Sequence, residues 1–207
     1  MTRNQETTAY ARSDLVPRLL IVNGLPGSGK TTLGRELAPR LGLPLISKDD
    51  IKELLFDQLG WSDREQSKRF GGAAWELLWL MTERTLTGNG SLAIESSFFI
   101  EPTGRKLSEW RAKQTLRIVE LHCTADRRLL VQRFQERALG PDRHPGHGET
   151  NLDTLEQEFI PRLLNDADAL IPGTDAFLTV DTTDPSTIDL DAIESELRAL
   201  LWPSESS

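Results

Sequence analysis

The hydrophobic positions of the chain alternate between short continuous runs and stripes with helical spacing. Such short apolar runs are typical of strands buried on both faces of a parallel sheet. They are RLLIVNG (18–24), LPLIS (43–47), SLAIE (91–95), TLRIVELHC (115–123) and FLTVDT (177–182). The stretches between them predict helices; these lie near 33–41, 51–59, 63–88, 103–113, 126–139, 152–164 and 189–201. The alternation predicts an α/β fold with a five-stranded parallel sheet covered by helices on both faces.

Length and composition fit one globular domain. The chain has 207 residues, of which 38% are hydrophobic and 27% charged, as expected of a soluble domain of this size. We expect disordered polar ends at residues 1–17 and 203–207, which leaves a single domain at 18–202. No apolar run approaches the length of a membrane span, and the N-terminus lacks the apolar core of a signal peptide. The lone Cys123 allows no intramolecular disulfide, so we expect a cytoplasmic protein.

The charge of the chain bears on its partners. Its formal net charge is −8 and it has no run of five basic residues, which disfavours nucleic acid as a partner. A small anionic ligand needs only a local positive pocket. We therefore expect a small-molecule partner, while the sequence leaves the oligomeric state open.

The first strand runs directly into a glycine-rich loop, GLPGSGKTTL (24–33). It contains Gly24-x-x-x-x-Gly29-Lys30-Thr31, the spacing of a P-loop, whose backbone N–H groups cradle phosphates at a helix N-terminus. Lys30 supplies a charge for the β- and γ-phosphates, and the Thr31 hydroxyl can hold Mg²⁺. We expect ATP and Mg²⁺ as cofactors. The candidate nucleotide-binding residues are Gly24, Gly27, Ser28, Gly29, Lys30, Thr31 and Thr32.

P-loops serve motors, switches and kinases, so the residues after the other strands decide between these classes. The apolar strands lack the Asp-Glu pair of a ring-forming motor. SKDD (47–50) superficially resembles a guanine-reading motif, but it lies too near the P-loop to reach a base. A carboxylate at the tip of the second strand can instead accept a proton from an incoming hydroxyl, which makes Asp49 a candidate catalytic residue. The alternative is that Asp49 or Asp50 caps the following helix.

GLPGSGKTTL, the following SKDDIKE and the Arg133-x-x-x-Arg137 pair together resemble the small P-loop kinases of the polynucleotide kinase, chloramphenicol phosphotransferase and zeta-toxin group. The resemblance covers residues 18 to 200. It implies a three-layer, nucleoside-kinase-like P-loop NTPase fold with strand order 2-3-1-4-5. It also implies that Asp49 is the general base, and that Lys52, where the polynucleotide kinase pattern has arginine, contacts the acceptor.

The same resemblance implies roles for the arginines that follow the fourth strand. In such kinases the arginines at the end of this helix begin a lid and stabilise the transferring phosphoryl group, so Arg133 and Arg137 are candidate catalytic residues together with Lys30. The lid maps onto residues 137–152, rich in proline and glycine. The structural alternative is an exposed helix face whose ion pairs contribute little energy.

Further candidates follow the third strand. Glu95 ends that strand, where it can orient Mg²⁺ waters or bind an acceptor hydroxyl, and Arg105 can bind an anionic substrate. The alternative for Glu95 is a structural carboxylate neutralised by an arginine. Trp75 and Trp79, four residues apart, indicate core packing or an aromatic wall for a flat substrate.

Taken together, these residues predict an ATP-dependent phosphotransferase that acts on a hydroxyl group of a small molecule. One alternative is a polynucleotide 5′-hydroxyl kinase, against which the net charge argues. The other is a nucleotide-binding regulatory module without an acceptor. No motif selects ATP over GTP or identifies the acceptor.

Overall fold

The computed structural model describes residues 16–140, 143–147 and 169–203. Within these ranges each of the five predicted strands and six of the predicted helices are present. The predicted helix at 152–164 and most of both predicted polar ends lie outside the described residues. Part of the predicted lid also lies outside them; the described residues retain 137–140 and 143–147.

Five parallel strands form one sheet in the order β2-β3-β1-β4-β5, as predicted. β1, β3 and β4 are almost wholly buried, which explains why the sequence shows them as continuous apolar runs. β2 is shorter than predicted because it pairs only from Leu45 onward. The strands are β1 (Arg18–Gly24), β2 (Leu45–Ser47), β3 (Leu92–Glu95), β4 (Arg117–Thr124) and β5 (Ala176–Asp181).

Six helices connect or follow these strands. They are α1 (Lys30–Arg40), α2 (Lys48–Leu59), α3 (Arg64–Thr87), α4 (Ile100–Arg111), α5 (Arg127–Leu139) and α6 (Leu190–Leu201). Three of them, α1, α2 and α4, begin about three residues earlier than their apolar spacing predicts. α2 already includes Asp49 and Asp50 in its first turn, where carboxylates are favoured by the helix dipole. α4 starts at Ile100 and tolerates Pro102 because a first-turn N–H has no helical partner.

The sheet separates two hydrophobic cores, and β1 contributes to both. Leu20 and Val22 face the side covered by α1 and α6, whereas Leu19 and Ile21 face the side covered by α3 and α4. All four side chains are fully buried. The helices therefore cover both faces of the sheet, and the carboxyl ends of the strands form one edge at which loops can meet.

No helix among the described residues combines the length and the apolar character needed to cross a lipid bilayer.

Candidate active site

The loop between β1 and α1 has the backbone geometry that the glycine spacing predicts. Gly27 and Gly29 adopt φ values of 85° and 73°, a region that L-residues with side chains rarely enter. A Cβ atom on Gly27 would lie 2.7 Å from the carbonyl oxygen of Leu130, and one on Gly24 would lie 2.4 Å from Ser28 Oγ. The glycines are therefore required by the fold of the loop itself.

The loop fits phosphate groups. The N-cap Gly29 provides no side-chain hydrogen bond and the first turn of α1 holds no acidic residue, so the terminal N–H groups are left for an anion. Ser28 Oγ is buried, and no protein hydrogen-bond partner was found for it. Lys30 is buried too, and its Nζ lies 3.5 Å from the Leu25 carbonyl oxygen. Thr31 lies in the same turn, and Thr32 is exposed beside it.

Glu95 connects the loop to β2. Its carboxylate is buried and accepts hydrogen bonds from Thr31 Oγ1 at 3.1 Å and from Ser47 Oγ at 2.6 Å. Lys30 Nζ lies 3.8 Å from the same carboxylate. Within the described ranges, no three His, Cys, Asp or Glu side chains are grouped closely enough to hold a metal ion. A hydroxyl beside one carboxylate nevertheless suits Mg²⁺, which usually keeps several waters and shares its shell with substrate phosphates.

Asp49 lies in the first turn of α2, surrounded by basic side chains. Arg143 Nη1 donates a hydrogen bond to its Oδ2 at 3.1 Å, Lys48 Nζ lies 3.4 Å from its Oδ1, and Arg137 Nη2 lies 3.8 Å away. Burial alone would raise the pKa of this carboxyl, but Lys48 and Arg143 hold the pKa far below its ordinary range. Asp49 is thus ionised at neutral pH. It is also not the N-cap of α2, a position occupied by Ser47.

Arg133 and Arg137 lie on one face of α5 but have different surroundings. The guanidinium of Arg133 donates to the carbonyl oxygens of Thr182 at 2.9 Å and Thr183 at 3.2 Å, and its Nη1 lies 3.4 Å from the Gly27 carbonyl oxygen. Arg133 therefore links the P-loop to the segment after β5. Arg137 keeps 41% of its side chain exposed and faces Asp49. Of these two arginines, only Arg137 therefore faces the Asp49 carboxylate directly.

The short segment 143–147 lies over α2 and α3. His147 is buried and bonds to Glu53 Oε1 at 2.9 Å, while Arg64 donates to the His147 carbonyl oxygen. The His144 ring stacks on Phe56 with centroids 4.9 Å apart. Burial lowers the pKa of His147 although the hydrogen bond to Glu53 opposes this, and the same bond lowers the pKa of Glu53. These contacts fix Arg143 beside Asp49.

A cavity of about 350 Å³ connects these groups. It starts at the P-loop, passes Lys30, Asp49 and Glu95, and continues along α3; its volume is at the lower end of the usual range for small-molecule sites. Lys52, a predicted substrate-binding residue, lines it, whereas Arg105 is exposed on α4 outside it. Basic side chains outnumber the carboxylates in the described lining; they are Lys30, Lys48, Lys52, Arg64, Lys68, Arg137 and Arg143.

A buried polar network supports the end of β1. Asn23 Oδ1 accepts hydrogen bonds from the N–H groups of Gly24 at 2.8 Å and Phe98 at 3.0 Å. Its Nδ2 donates to Oε1 of the fully buried Glu120 at 2.9 Å, and Oε2 of Glu120 accepts from the Ile171 N–H at 2.8 Å. The Asn23 side chain thus joins the start of the P-loop, at Gly24, to the cavity wall after β3, at Phe98.

Several of these residues were not predicted as site residues from the sequence. The available signals were the four-residue spacing of Arg64 and Lys68 and the two glycines, Gly71 and Gly72, inside the predicted helix 63–88. For Glu120 the only signal was a charged residue inside an apolar strand, which is rare unless the charge has partners.

Comparison with known proteins agrees with this geometry. The model of the AAA_33 family, described as an AAA domain, matches residues 19–160, which is more than half of the chain. The chain belongs to the AAA_33 family. The Chloroflexus aurantiacus structure that resembles this AAA_33 chain is of a candidate kinase. It is 36% identical with a TM-score of 0.80, over 90% of this chain and 100% of that one.

Curated relatives of this AAA_33 chain include two shikimate kinases. That of Paramagnetospirillum magneticum is 32% identical over 165 residues, or 79% of this chain and 80% of that protein. That of Paracidovorax citrulli is 45% identical over 62 residues, or 29% of this chain. The chain spans only 34% of the length of the latter and 26% of a Mycobacterium tuberculosis relative. With the fold, these similarities place the chain among the P-loop kinases.

Proposed function

We propose that this chain transfers the γ-phosphoryl group of ATP to a hydroxyl group of a small-molecule acceptor. The observation that carries the proposal is the cavity that leads from Lys30 past Asp49 and on along α3. A module that only binds a nucleotide has no use for a cavity that extends beyond Lys30 to Asp49 and α3. A kinase needs one, because the acceptor hydroxyl must approach the γ-phosphorus in line with the leaving oxygen.

The residues fit the steps of such a transfer. The ionised Asp49 accepts a hydrogen bond from the acceptor hydroxyl and orients its oxygen toward the γ-phosphorus. As the new oxygen–phosphorus bond forms, the bond from that phosphorus to the β–γ bridging oxygen breaks, ADP leaves, and the hydroxyl proton passes through Asp49 to solvent. Lys30 and the N–H groups of the P-loop hold the phosphates. Thr31 and Glu95 would hold Mg²⁺, which neutralises phosphate charge when bound.

The arginines divide into two roles in this proposal. Arg137 is the candidate for stabilising charge on the transferring phosphoryl group, because it faces Asp49 and remains half exposed. Arg143 donates a hydrogen bond to the same carboxylate, at Oδ2, the oxygen that Arg137 also approaches. Arg133 holds the P-loop against the segment after β5 through backbone carbonyl oxygens. Its role is therefore to position the P-loop around the nucleotide.

The direct test measures ADP release with Mg²⁺-ATP in the presence of hydroxyl compounds. Shikimate comes first because two relatives are named shikimate kinases; sugar acids, sugars and hydroxyl-bearing antibiotics follow, with GTP in place of ATP as a second series. Asp49→Asn should lower kcat at least about 100-fold while ATP binding persists. Asp50→Asn is the matched control, since Asp50 is adjacent, exposed and paired with Arg35. Equal activities of the two variants would refute the role of Asp49.

A 5′-hydroxyl oligonucleotide belongs in the same assay. The basic lining of the cavity favours a charged acceptor, and a polynucleotide is one of that kind. Stimulation by the oligonucleotide alone, weakening steeply with salt, would identify a polynucleotide 5′-hydroxyl kinase. If no compound stimulates ADP release although ATP binds tightly, a regulatory nucleotide-binding module becomes the better interpretation.

A further inference from the structure

Two adjacent glycines lie inside the longest helix. Gly71 and Gly72 are in the first half of α3, which continues without a break from Arg64 to Thr87. Glycine is the poorest helix former apart from proline, because it loses the most backbone freedom on folding. Both glycines line the cavity that starts at the P-loop.

The packing of the described residues does not require either glycine. A Cβ atom added to Gly72 would meet no atom of these residues within 4 Å, and one added to Gly71 would meet only the end of Lys52 at 3.8 Å. Neither glycine has a positive φ value. Within the described part of the chain, alanine would therefore fit at both positions. Both positions line the cavity, so an added methyl group would take up space at its wall.

An aromatic ring with a fixed orientation follows one turn later. Trp75 lines the cavity and stacks on Trp79 at 5.4 Å, with Phe98 edge-on at 5.4 Å. These contacts hold the indole in place. A ring lying flat on the backbone of Gly71 and Gly72 would have Trp75 as its neighbour along the helix.

Positive charge surrounds this surface. The described lining of the cavity carries seven lysine and arginine side chains against two carboxylates, Asp49 and Glu95. Three of these cations, Lys52, Arg64 and Lys68, lie on α2 and on the first half of α3, the helix that also carries the two glycines. Lys52 is buried, with its ammonium bonded to Ser67 Oγ at 2.9 Å, so a large part of its charge is removed from solvent.

We infer that Gly71, Gly72 and Trp75 form the binding surface for the ring of the acceptor, and that Lys52, Arg64 and Lys68 bind an oxyanion on that acceptor. The acceptor is then a cyclic alcohol that carries a carboxylate or a phosphate group, with its reacting hydroxyl toward Asp49. This inference rests on the proposed kinase function, whose acceptor class it names. It makes Gly72 and Lys52 determinants of specificity.

The proposed binding of the acceptor ring against Gly72 is tested with Gly72→Ala and, as a matched control, Ala73→Ser. Ala73 is the next residue of α3 but lies outside the cavity lining, so both variants add one heavy atom to the same helix. Gly72→Ala should raise the KM for the best acceptor at least tenfold, leave the KM for ATP unchanged and not lower the melting temperature. Ala73→Ser should leave both KM values unchanged and lower the melting temperature only slightly, because serine is a somewhat poorer helix former than alanine. An unaltered acceptor KM in Gly72→Ala would overturn the inference.

The proposed binding of an oxyanion by Lys52 is tested without turnover. Wild-type protein loaded with Mg²⁺ and a non-hydrolysable ATP analogue, which fills the P-loop, is titrated with inorganic phosphate and separately with acetate in a calorimeter. We expect saturable binding of at least one anion, lost in Lys52→Met and kept in Lys113→Met, a surface control paired with Glu83. The preferred anion distinguishes a phosphate-bearing from a carboxylate-bearing acceptor.

The outcomes separate this inference from the proposed function. Anion binding that depends on Lys52, without ADP release for any acceptor, would support the anion subsite and contradict the kinase. ADP release that is as efficient with a neutral methyl ester as with the parent acid, or an absence of anion binding, would overturn the subsite and leave the kinase intact.

Discussion

Replacing Glu120 by glutamine tests whether the buried network under the P-loop is as important as its geometry indicates. The glutamate lies in the middle of β4, fully buried, and both of its oxygens accept from N–H donors. Glutamine has the same shape but replaces one oxygen by an NH₂ group. Either orientation then places this NH₂ against another donor, from Asn23 or from Ile171. On the Asn23 side, His122 Nδ1 lies 3.3 Å from Oε1 and can accept one proton of the NH₂ group, but the Asn23 donor still loses its acceptor. Asn23 cannot rotate its amide to compensate, because its own oxygen accepts from Gly24 and Phe98.

The expected loss follows from these contacts. One buried donor left unsatisfied costs about 1–3 kcal/mol. The hydrogen bond that remains is weaker by about 1 kcal/mol, because its acceptor is no longer charged. The free energy of unfolding should therefore fall by about 2–4 kcal/mol, which for a domain of this size lowers Tm by roughly 5–15 °C. Because Asn23 also holds the first N–H of the P-loop, we expect the KM for ATP to rise.

Urea unfolding and a thermal scan measure the first effect, and initial rates at varied ATP concentration measure the second. Glu194→Gln provides the control, since Glu194 forms an ion pair with Arg198 at the surface, and such pairs contribute at most about 1 kcal/mol. A Tm loss for Glu120→Gln below about 3 °C, or no greater than that of the control, would refute the reasoning.

Four further variants and one pH series test other contacts. Arg133→Ala should raise the KM for ATP about tenfold with little change in kcat, since each lost charged hydrogen bond contributes about 1.5 kcal/mol. Arg137→Ala should instead lower kcat about 1,000-fold; identical kinetic effects of the two would contradict the division of roles. Gly27→Ala should abolish binding of a fluorescent ATP analogue, because its Cβ would lie 2.7 Å from a carbonyl oxygen. Gly42→Ala, also at positive φ but in open space, should keep it. Burial lowers the pKa of His147, so the folded protein binds this proton less readily than the unfolded chain. The contribution of neutral His147 to the free energy of unfolding is therefore complete above about pH 6.5 and declines below this pH. Between about pH 7.5 and 5.5 the Tm of His147→Gln should fall less than the Tm of the wild type.

The order and type of the elements could be predicted because their signals are local. The continuous apolar run of β1 and the glycine spacing of the P-loop each lie within ten residues. The ends of the helices and strands were predicted less accurately. The start of α2 at Lys48 rather than near Ile51 depends on the N-cap Ser47, whose hydroxyl bonds to Glu95 instead of capping the helix, a contact that no local pattern contains.

Contacts between distant residues decide the rest of the site. Arg143 and Asp49 are 94 residues apart, and Glu120 and Asn23 are 97 apart. Spacing predicted a chemical role for Asp49, but not which arginine contacts its carboxylate. Likewise, the i, i+4 pair Arg133 and Arg137 predicted a shared helix face, whereas their different partners depend on where the P-loop and the segment after β5 lie.

The link that Arg133 makes between the P-loop and the segment after β5 has a consequence for how this architecture diversifies. The bonds of Arg133 go mainly to backbone carbonyl oxygens, so the proposed nucleotide side keeps its arrangement when neighbouring side chains change. The proposed acceptor side is built from α2, α3 and the segment 143–147, which contact one another mainly through side chains. Substitutions on those helices can therefore exchange one acceptor for another while the phosphate donor stays the same, which lets one scaffold give rise to kinases for unrelated metabolites.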